Sequence, residues 1–133
     1  MDILIGLASG LLAVAALWFG PGLVAALFGV RGMTPKGLRR HLTRGVELVV
    51  LDVRTDPEFA AGHIKGAKHL PLDKVKNGLP LLAGMKDTPV VCVCASGLRS
   101  AFAAIRLRRA GFPRVYNMAG GMLLWGRKDI SHD

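Results

Sequence analysis

The chain begins with a long apolar segment, because residues 3–30 contain no charged side chain. A helix of about 20 mostly apolar residues spans the hydrocarbon core of a bilayer, so this run is long enough. It lacks the positive start and the small-residue cleavage site of a signal peptide, and it is too long for an ordinary buried helix. We therefore expect a transmembrane anchor over residues 1–30. Gly20, Pro21 and Gly22 are expected to kink it or to break it into two pieces.

Charge on the two sides of this segment predicts its orientation. Five basic residues follow the segment within residues 31–44, whereas Asp2 is the one charged side chain before it. The positive-inside rule then predicts a single-pass protein of the inner (plasma) membrane whose globular part faces the cytoplasm. Gly6 and Gly10 form a small-residue pair that can mediate a homodimer through the anchor. The expected partners therefore include the lipid bilayer.

After residue 30, short β-branched runs alternate with segments of helical pattern. Strands are predicted at residues 47–53, 68–71, 90–93 and 115–118, and helices at residues 34–43, 56–62, 73–83, 98–110 and 121–125. Alternation of this kind is typical of βαβ units, in which helices cover both faces of a parallel sheet. The pattern predicts an α/β fold of three layers with a central parallel sheet. In such sheets ligands bind at the carboxyl ends of the strands.

The part of the chain after residue 30 is strongly basic. It holds all 18 Lys and Arg and eight of the nine acidic residues, which gives a formal charge of +10. A basic surface attracts anions, which include nucleic acids, lipid head groups and small anionic substrates. Aromatic residues do not interleave with the basic ones, and zinc-finger spacing is absent, so no nucleic acid partner is expected.

Candidate chemistry is concentrated at Cys94. It follows an apolar strand directly and is followed by a small polar loop and then by a helical pattern. This order places the thiol at the carboxyl end of a strand and below the free N–H groups of a helix start, which stabilise a thiolate. Cys92 is the only other cysteine, so no disulfide framework is expected. It is predicted to point into the core, with a resolving role as the alternative.

Three separated blocks of the sequence make the chain similar to a known family. Residues 51–72, LDVRTDPEFAAGHIKGAKHLPL, residues 94–100, CASGLRS, and residues 111–125, GFPRVYNMAGGMLLW, resemble the amino-terminal signature, the active-site loop and the closing segment of rhodanese-like domains. The resemblance covers residues 33–125 in order. It implies a rhodanese-like domain over residues 33–127, after the anchor and before a polar tail at residues 128–133.

The resemblance implies a sulfurtransferase whose catalytic residue is Cys94. In that family the loop cysteine takes the outer sulfur of a small anionic donor such as thiosulfate, becomes a persulfide, and passes the sulfur to a thiol or to cyanide. No organic cofactor or metal is required. The backbone amides of the loop are expected to bind the anionic sulfur. The substrate-binding residues predicted in this way are Ala95, Ser96, Gly97, Leu98, Arg99 and Ser100.

Several of these residues have a second interpretation. Arg99 either binds the anionic end of the donor or forms a salt bridge, and Ser100 either donates to the sulfur or caps the helix. Asp52 and Arg54 end a strand at the same edge of the sheet, and we expect them to support the site by positioning. Glu58 and His63 are expected to brace the fold, and the histidines lack the spacing of a metal site.

Two other functions remain open. The loop has four residues between Cys94 and Arg99, whereas related phosphatases and arsenate reductases on this fold have five, so the tighter loop favours sulfur chemistry. A phosphatase or arsenate reductase is one alternative, and a non-catalytic interaction module of the same fold at the membrane is the other. The sequence does not identify the physiological donor and acceptor, the oligomeric state or the role of Cys92.

Overall fold

The computed structural model describes the backbone of residues 2–133 and the side chains of all of these except residues 12, 15–19 and 21. The strands are β1 (Arg31–Met33), β2 (Val49–Asp52), β3 (His63–Ile64), β4 (Lys68–His69), β5 (Val90–Val93), β6 (Val115–Met118) and β7 (Ile130–Ser131). The helices are α1 (Asp2–Leu27), α2 (Pro35–Thr43), α3 (Asp56–Ala60), α4 (Leu72–Leu82), α5 (Leu98–Arg109) and α6 (Gly121–Trp125), and a short 3-10 turn follows α4 at Ala83–Met85.

Five of the strands form one parallel sheet in the order β1-β6-β5-β2-β4. The remaining two, β3 and β7, pair antiparallel in a separate ribbon. The predicted α/β fold with a central parallel sheet flanked by helices is therefore confirmed. β5 lies in the middle of the sheet between β6 and β2, so the residue that follows it reaches the centre of the carboxyl edge.

The two faces of the sheet carry separate cores, because successive side chains of a strand point to opposite faces. Val91 of β5 packs with Leu38 of α2 and Trp125 of α6 on one face. Cys92 packs on the other face, in a cluster that includes Leu107 of α5 and residues of α1 and α4. Strands buried on both sides read as continuous apolar runs, and for this reason β2 and β5 could be predicted from the sequence.

The helix starts follow local sequence signals. Thr34 caps α2 by accepting a hydrogen bond from the Gly37 N–H at 3.0 Å, and Pro35 occupies the first turn. Thr55 and Glu58 form a reciprocal capping box at the start of α3. The N-cap of α5 is instead Gly97, whose φ of 99° lies in the left-handed region. This change of direction folds the chain from β5 back onto the sheet.

The expectation of a transmembrane anchor is wrong: among the described residues, no helix is both long and apolar enough to cross a membrane. Gly20, with φ 73° and ψ 179°, interrupts the helical backbone of α1. After the break, Ala25 is 1% exposed and belongs to the core beneath α5.

The predicted single-pass localisation in the inner (plasma) membrane is corrected by the same finding. A lipid bilayer partner and a homodimer through Gly6 and Gly10 depended on that span and receive no support. The apolar pattern was misleading because it continues without a charge from the first part of α1 into residues that are packed against the domain. Ala25 and Val30 are apolar because they are buried in the core.

Three short strands, β1, β3 and β7, were not predicted. β1 pairs with β6 at the edge of the main sheet. β7 lies in the segment expected to be a polar tail and pairs with β3, so Ile130 is opposite Ile64. Strands of two or three residues have too few positions to show an alternating pattern. β1 forms beside the longer β6, whereas β7 and β3 are equally short and satisfy each other's backbone groups.

Candidate functional site

Cys94 follows β5 directly and lies at the carboxyl edge of the sheet. Its Sγ accepts a hydrogen bond from the Gly97 N–H at 3.0 Å and contacts the Ser100 Oγ at 3.2 Å. The left-handed φ of Gly97 turns its N–H back toward the sulfur, and Ser100 reaches the sulfur from the first turn of α5. One backbone amide and one hydroxyl are therefore the polar groups that contact this sulfur among the described residues.

The contacts at Sγ are fewer than the ring of loop amides expected from the sequence. Gly97 and Ser100 meet the sulfur, but the N–H groups of the other predicted binding residues do not. In the loop Ala95 is half-buried, whereas Ser96 and Leu98 are exposed. A second sulfur bonded to Sγ would lie farther out, so the role of those amides stays a prediction.

The sulfur is closed off from solvent in this conformation. Cys94 is 0% exposed and packs within the core cluster that also contains Cys92 and Ala101. The thiol is therefore turned toward hydrogen-bond donors but away from water. A donor molecule reaches it only when the side chain or the loop moves.

The start of α6 holds the loop from the opposite side. The Met122 N–H donates to the Cys94 carbonyl at 2.8 Å, and the Leu123 N–H donates to the Ala95 carbonyl at 3.0 Å. Gly121, with φ 58°, lies so close to these two carbonyl groups that a Cβ atom would collide with them. The second glycine of the Gly-Gly pair is therefore required for the close approach of two backbone segments.

Asn117 is a site residue that the sequence reasoning missed. It lies on β6 and is 4% exposed. Its Oδ1 accepts a hydrogen bond from the Ser100 Oγ at 2.5 Å, and its Nδ2 donates to the Gly97 carbonyl at 3.0 Å. Asn117 thus contacts both residues that contact the sulfur. The available signal was an amide side chain inside an otherwise apolar buried strand, which is unusual unless its polar groups have partners.

Arg99 is paired with a carboxylate. Its Nη1 and Nη2 donate to the two carboxylate oxygens of Glu58 at 2.6 and 2.8 Å. The hydrogen bond from Arg99 lowers the pKa of Glu58 to about 2, and the Thr55 hydrogen bonds add to this effect while burial opposes it. The same contact raises the pKa of Arg99. The bridge joins α3 to α5, and a substrate-binding role for Arg99 stays a prediction.

Asp52 and Arg54 form a second bidentate pair at the carboxyl end of β2. The Arg54 Nε and Nη2 donate to the Asp52 carboxylate at 2.8 to 3.1 Å, and both side chains are buried. Arg54 Nη2 also donates to the Gly62 carbonyl at 2.8 Å. The guanidinium group therefore ties the end of the strand to the loop after α3, which is the kind of contact a positioning pair makes.

Two histidines stack on Phe59 next to this pair. The rings of His63 and His69 lie 3.7 and 4.2 Å from the Phe59 ring, nearly parallel to it on opposite sides. His63 Nδ1 bonds the Phe59 carbonyl, and His69 Nε2 bonds the Arg54 carbonyl. Within the described part of the chain, no three His, Cys, Asp or Glu side chains lie together as metal ligands would.

Cys92 has a different environment from Cys94. It is 0% exposed and lies on β5 within the same apolar cluster, but no loop N–H or hydroxyl contacts its sulfur among the described residues. Burial raises the pKa of the Cys92 thiol, and the nearby Cys94 raises it further. A thiol with a raised pKa is a poor nucleophile, so this environment does not favour a resolving role.

Cys94 lies at the carboxyl edge of a parallel sheet, and a loop N–H and a hydroxyl contact its sulfur, which is an arrangement suited to thiol chemistry. Comparison with known proteins identifies the protein family. The sequence model of the rhodanese-like domain family matches residues 34–128, and the chain belongs to that family. The predicted family and the prediction of a rhodanese-type sulfurtransferase are thereby confirmed.

Individual relatives agree with this assignment. The thiosulfate sulfurtransferase GlpE of Stutzerimonas stutzeri is 36% identical over 98 residues, which cover 70% of this chain and 86% of that protein. The probable adenylyltransferase/sulfurtransferase MoeZ of Mycobacterium tuberculosis is 33% identical over 72% of this chain, but the match spans only 24% of MoeZ. The crystal structure of a rhodanese-like domain protein from Staphylococcus aureus superimposes with a TM-score of 0.72 and 32% identity, covering 78% of this chain and 99% of that one.

Proposed function

We propose that this protein transfers a sulfane sulfur from thiosulfate or a persulfide donor to a thiol or cyanide, through a persulfide on Cys94. The observation that carries the proposal is the position of the Cys94 Sγ, which contacts the Gly97 N–H and the Ser100 hydroxyl at the carboxyl edge of the sheet. Such donors stabilise negative charge on sulfur. The similarity to proteins named thiosulfate sulfurtransferase supports thiosulfate as a donor.

The proposed reaction has two steps. The Cys94 thiolate attacks the outer sulfur of thiosulfate, the S–S bond breaks, and sulfite leaves with the bonding electron pair. The acceptor nucleophile then attacks the outer sulfur of the persulfide, and the Cys94 thiolate leaves with the pair from the second S–S bond. Cyanide becomes thiocyanate, whereas a thiolate acceptor becomes a persulfide. The oxidation levels balance without an added oxidant or reductant.

The roles proposed for the surrounding residues follow from their contacts. Gly97 and Ser100 stabilise the sulfur, and the other loop residues from Ala95 to Arg99 form the binding loop for the anionic donor. Asp52 and Arg54 support the site through their buried pair, which joins the end of β2 to the loop after α3. We propose residues 33–127 as the sulfurtransferase domain.

A non-catalytic interaction module of the same fold is the second candidate. The observation that favours it is the complete burial of Cys94, since a thiol that never opens to solvent cannot take up sulfur. The two candidates differ in whether the loop opens in solution.

Mass spectrometry after treatment with thiosulfate separates them. Sulfur transfer predicts a gain of about 32 Da on the peptide that contains Cys94 and turnover with cyanide. The Cys94→Ser variant should lose both, and the matched Cys92→Ser variant should keep most of the activity because its thiol lies away from the loop donors. Folded protein that gains no sulfur would favour the interaction module, and turnover that survives Cys94→Ser would refute the proposed mechanism.

A further inference from the structure

Ser100 lies between two buried acceptors. Its Oγ is 3.2 Å from the Cys94 Sγ and 2.5 Å from the Asn117 Oδ1. The three residues are 0%, 0% and 4% exposed, so water does not compete for these contacts. A serine hydroxyl has one hydrogen and can therefore donate to one of the two acceptors at a time.

The charge on the sulfur decides which acceptor receives that hydrogen. When Cys94 is a thiol, its S–H can donate to the Ser100 Oγ, and the hydroxyl then donates to Asn117, so every group is paired. When the sulfur is negative, it has no hydrogen to give and attracts the hydroxyl more strongly than a neutral amide oxygen does. The short contact to Asn117 is the geometry of the first state.

The orientation of the Asn117 amide is fixed by its second contact. Its Nδ2 donates to the Gly97 carbonyl at 3.0 Å. The reversed amide would place Oδ1 against that carbonyl oxygen and an NH2 group against the Ser100 hydroxyl, which breaks one hydrogen bond. Oδ1 is therefore held toward Ser100 while the same side chain fastens the residue that supplies the N–H donor to the sulfur.

We propose that Asn117 is a positioning residue for sulfur transfer. Its Oδ1 is the alternate acceptor that receives the Ser100 hydroxyl hydrogen until the Cys94 Sγ becomes negative. The proposal rests on the proposed function. When an acceptor attacks the outer sulfur of the persulfide, the bond to Sγ breaks and its electron pair stays on Sγ. The Ser100 O–H then rotates from Asn117 to Sγ. The proton stays on the hydroxyl throughout, so no acid or base is consumed.

The test is a double-substitution cycle read by alkylation. The rate at which iodoacetamide modifies Cys94 is followed by mass spectrometry from pH 5 to 10, and the midpoint of its pH dependence is compared among wild type, Ser100→Ala, Asn117→Leu and the double variant. The charged and titratable groups near the site are Arg99 on α5 with its partner Glu58 on α3, Asp52 at the end of β2 with its partner Arg54, and Cys92 on β5. They are identical in all four proteins, so the differences report the Ser100 and Asn117 contacts.

Ser100→Ala should raise the midpoint because the thiolate loses a donor. Asn117→Leu should lower it by about 0.5 to 1 pH unit, because the hydroxyl no longer has a competing acceptor. In the Ser100→Ala background the same Asn117→Leu change should no longer lower the midpoint, because its remaining effect is the loss of the Nδ2 contact to the Gly97 carbonyl. A shift of equal size without Ser100, or no shift with Ser100 present, would overturn the proposal, and a purely structural role predicts one of those results.

A second measurement leaves Asn117 in place. In the Cys92→Ala variant the single S–H stretching band belongs to Cys94, and infrared spectroscopy at low pH should show it below the frequency of a free thiol, because the S–H donates to Ser100. Ser100→Ala should move the band upward, and an unchanged band would refute the proposal. Neither readout requires turnover, so failure of this inference is distinguished from failure of the proposed sulfur transfer.

Discussion

The Arg99 and Glu58 pair shows how a single contact can connect the segment after β5 to the rest of the fold. Both side chains are about one third exposed, and two hydrogen bonds join them across 41 positions of sequence. Glu58 also completes the capping box of α3. Its carboxylate therefore holds the start of α3 and the start of α5 together.

Replacing Glu58 tests this link. Glu58→Gln should lower the free energy of unfolding at pH 7 by about 1 kcal/mol, the size expected for a partly exposed bidentate pair. The pKa of Glu58 is about 2 in the folded protein, below its ordinary value of 4.5, so the unfolded protein binds more protons between these values. The stabilisation is thus present above pH 4.5 and is lost as the pH falls toward 2. Urea unfolding at several pH values measures both effects.

Glu47→Gln is the matched control, because Glu47 is exposed and lies before β2. It should change the unfolding free energy little at any pH in this range. If Glu58→Gln and wild type differ as much at pH 2 as at pH 7, the ion pair is not the source of the stabilisation.

At the scale of residues, the sequence was informative where chemistry is local. Cys94 and Gly97 could be singled out because a strand, a small polar loop and a helix follow one another directly. Asn117 could not be singled out, since its partners, Ser100 on α5 and Gly97 just before that helix, are 17 and 20 positions away. The packing of β6 beside β5 brings them together. The Glu58 partner of Arg99 was hidden for the same reason.

At the scale of elements, the contact between α6 and the loop after β5 determines the shape of the site. α6 has only five residues, and its first N–H groups donate to the carbonyls of Cys94 and Ala95. Gly121 permits this contact because it has no Cβ atom. The position of the loop carbonyls, and with it the direction of the Gly97 N–H, depends on how closely α6 approaches.

Gly121→Ala should therefore disturb the site strongly. The added Cβ would meet the backbone carbonyls of the loop, and backbone cannot move aside cheaply, so we expect a loss of about 2 to 4 kcal/mol in unfolding free energy and loss of sulfur transfer. Thermal or urea unfolding, together with the cyanide assay, measures the two effects.

Gly126 provides the control at the other end of α6. It also has a left-handed φ, 83°, but a Cβ there would meet nothing within 4 Å. Its ψ of −164° places Gly126 in a backbone region essentially restricted to glycine, so Gly126→Ala should cost about 1 to 3 kcal/mol, but it should preserve sulfur transfer because the new Cβ does not contact the loop. Loss of sulfur transfer in both variants would mean that backbone conformation, and not contact with the loop, explains the requirement for Gly121.

Elements with strong local patterns were predicted well, and those stabilised by neighbours were not. The bounds of β5, β6 and α6 agree with the sequence pattern, and α4 forms despite Gly78 and Pro80. Gly78 has a packing reason, since its surface faces the Leu70 side chain without room for a Cβ atom. The apolar run at the start of the chain was predicted to be a membrane span, but no described helix is long and apolar enough for one, and Ala25 and Val30 near its end belong to the core of the domain.

At the scale of the whole molecule, the closed thiol belongs to a strongly basic chain. The formal net charge is +9, and Lys or Arg side chains occur on every layer of the fold. Such a field attracts anions over roughly one Debye length, about 10 Å at 0.1 M salt. It therefore favours an anionic sulfur donor over a neutral one even before the loop opens.

Two alkylating reagents of nearly the same size distinguish the effect of the positive charge on the alkylation rate from the effect of loop opening. Iodoacetate is an anion and iodoacetamide is neutral, and both need access to the same Cys94 sulfur. Because any opening step is common to the two reagents, it cancels in the ratio of their rates. Raising the salt from 10 to 500 mM should lower the iodoacetate rate about two- to fivefold and leave the iodoacetamide rate nearly unchanged. Mass spectrometry of the Cys94 peptide gives both rates. A ratio that is independent of salt would show that the basic charge does not reach the sulfur, and the preference for anionic donors would then have to come from the loop alone.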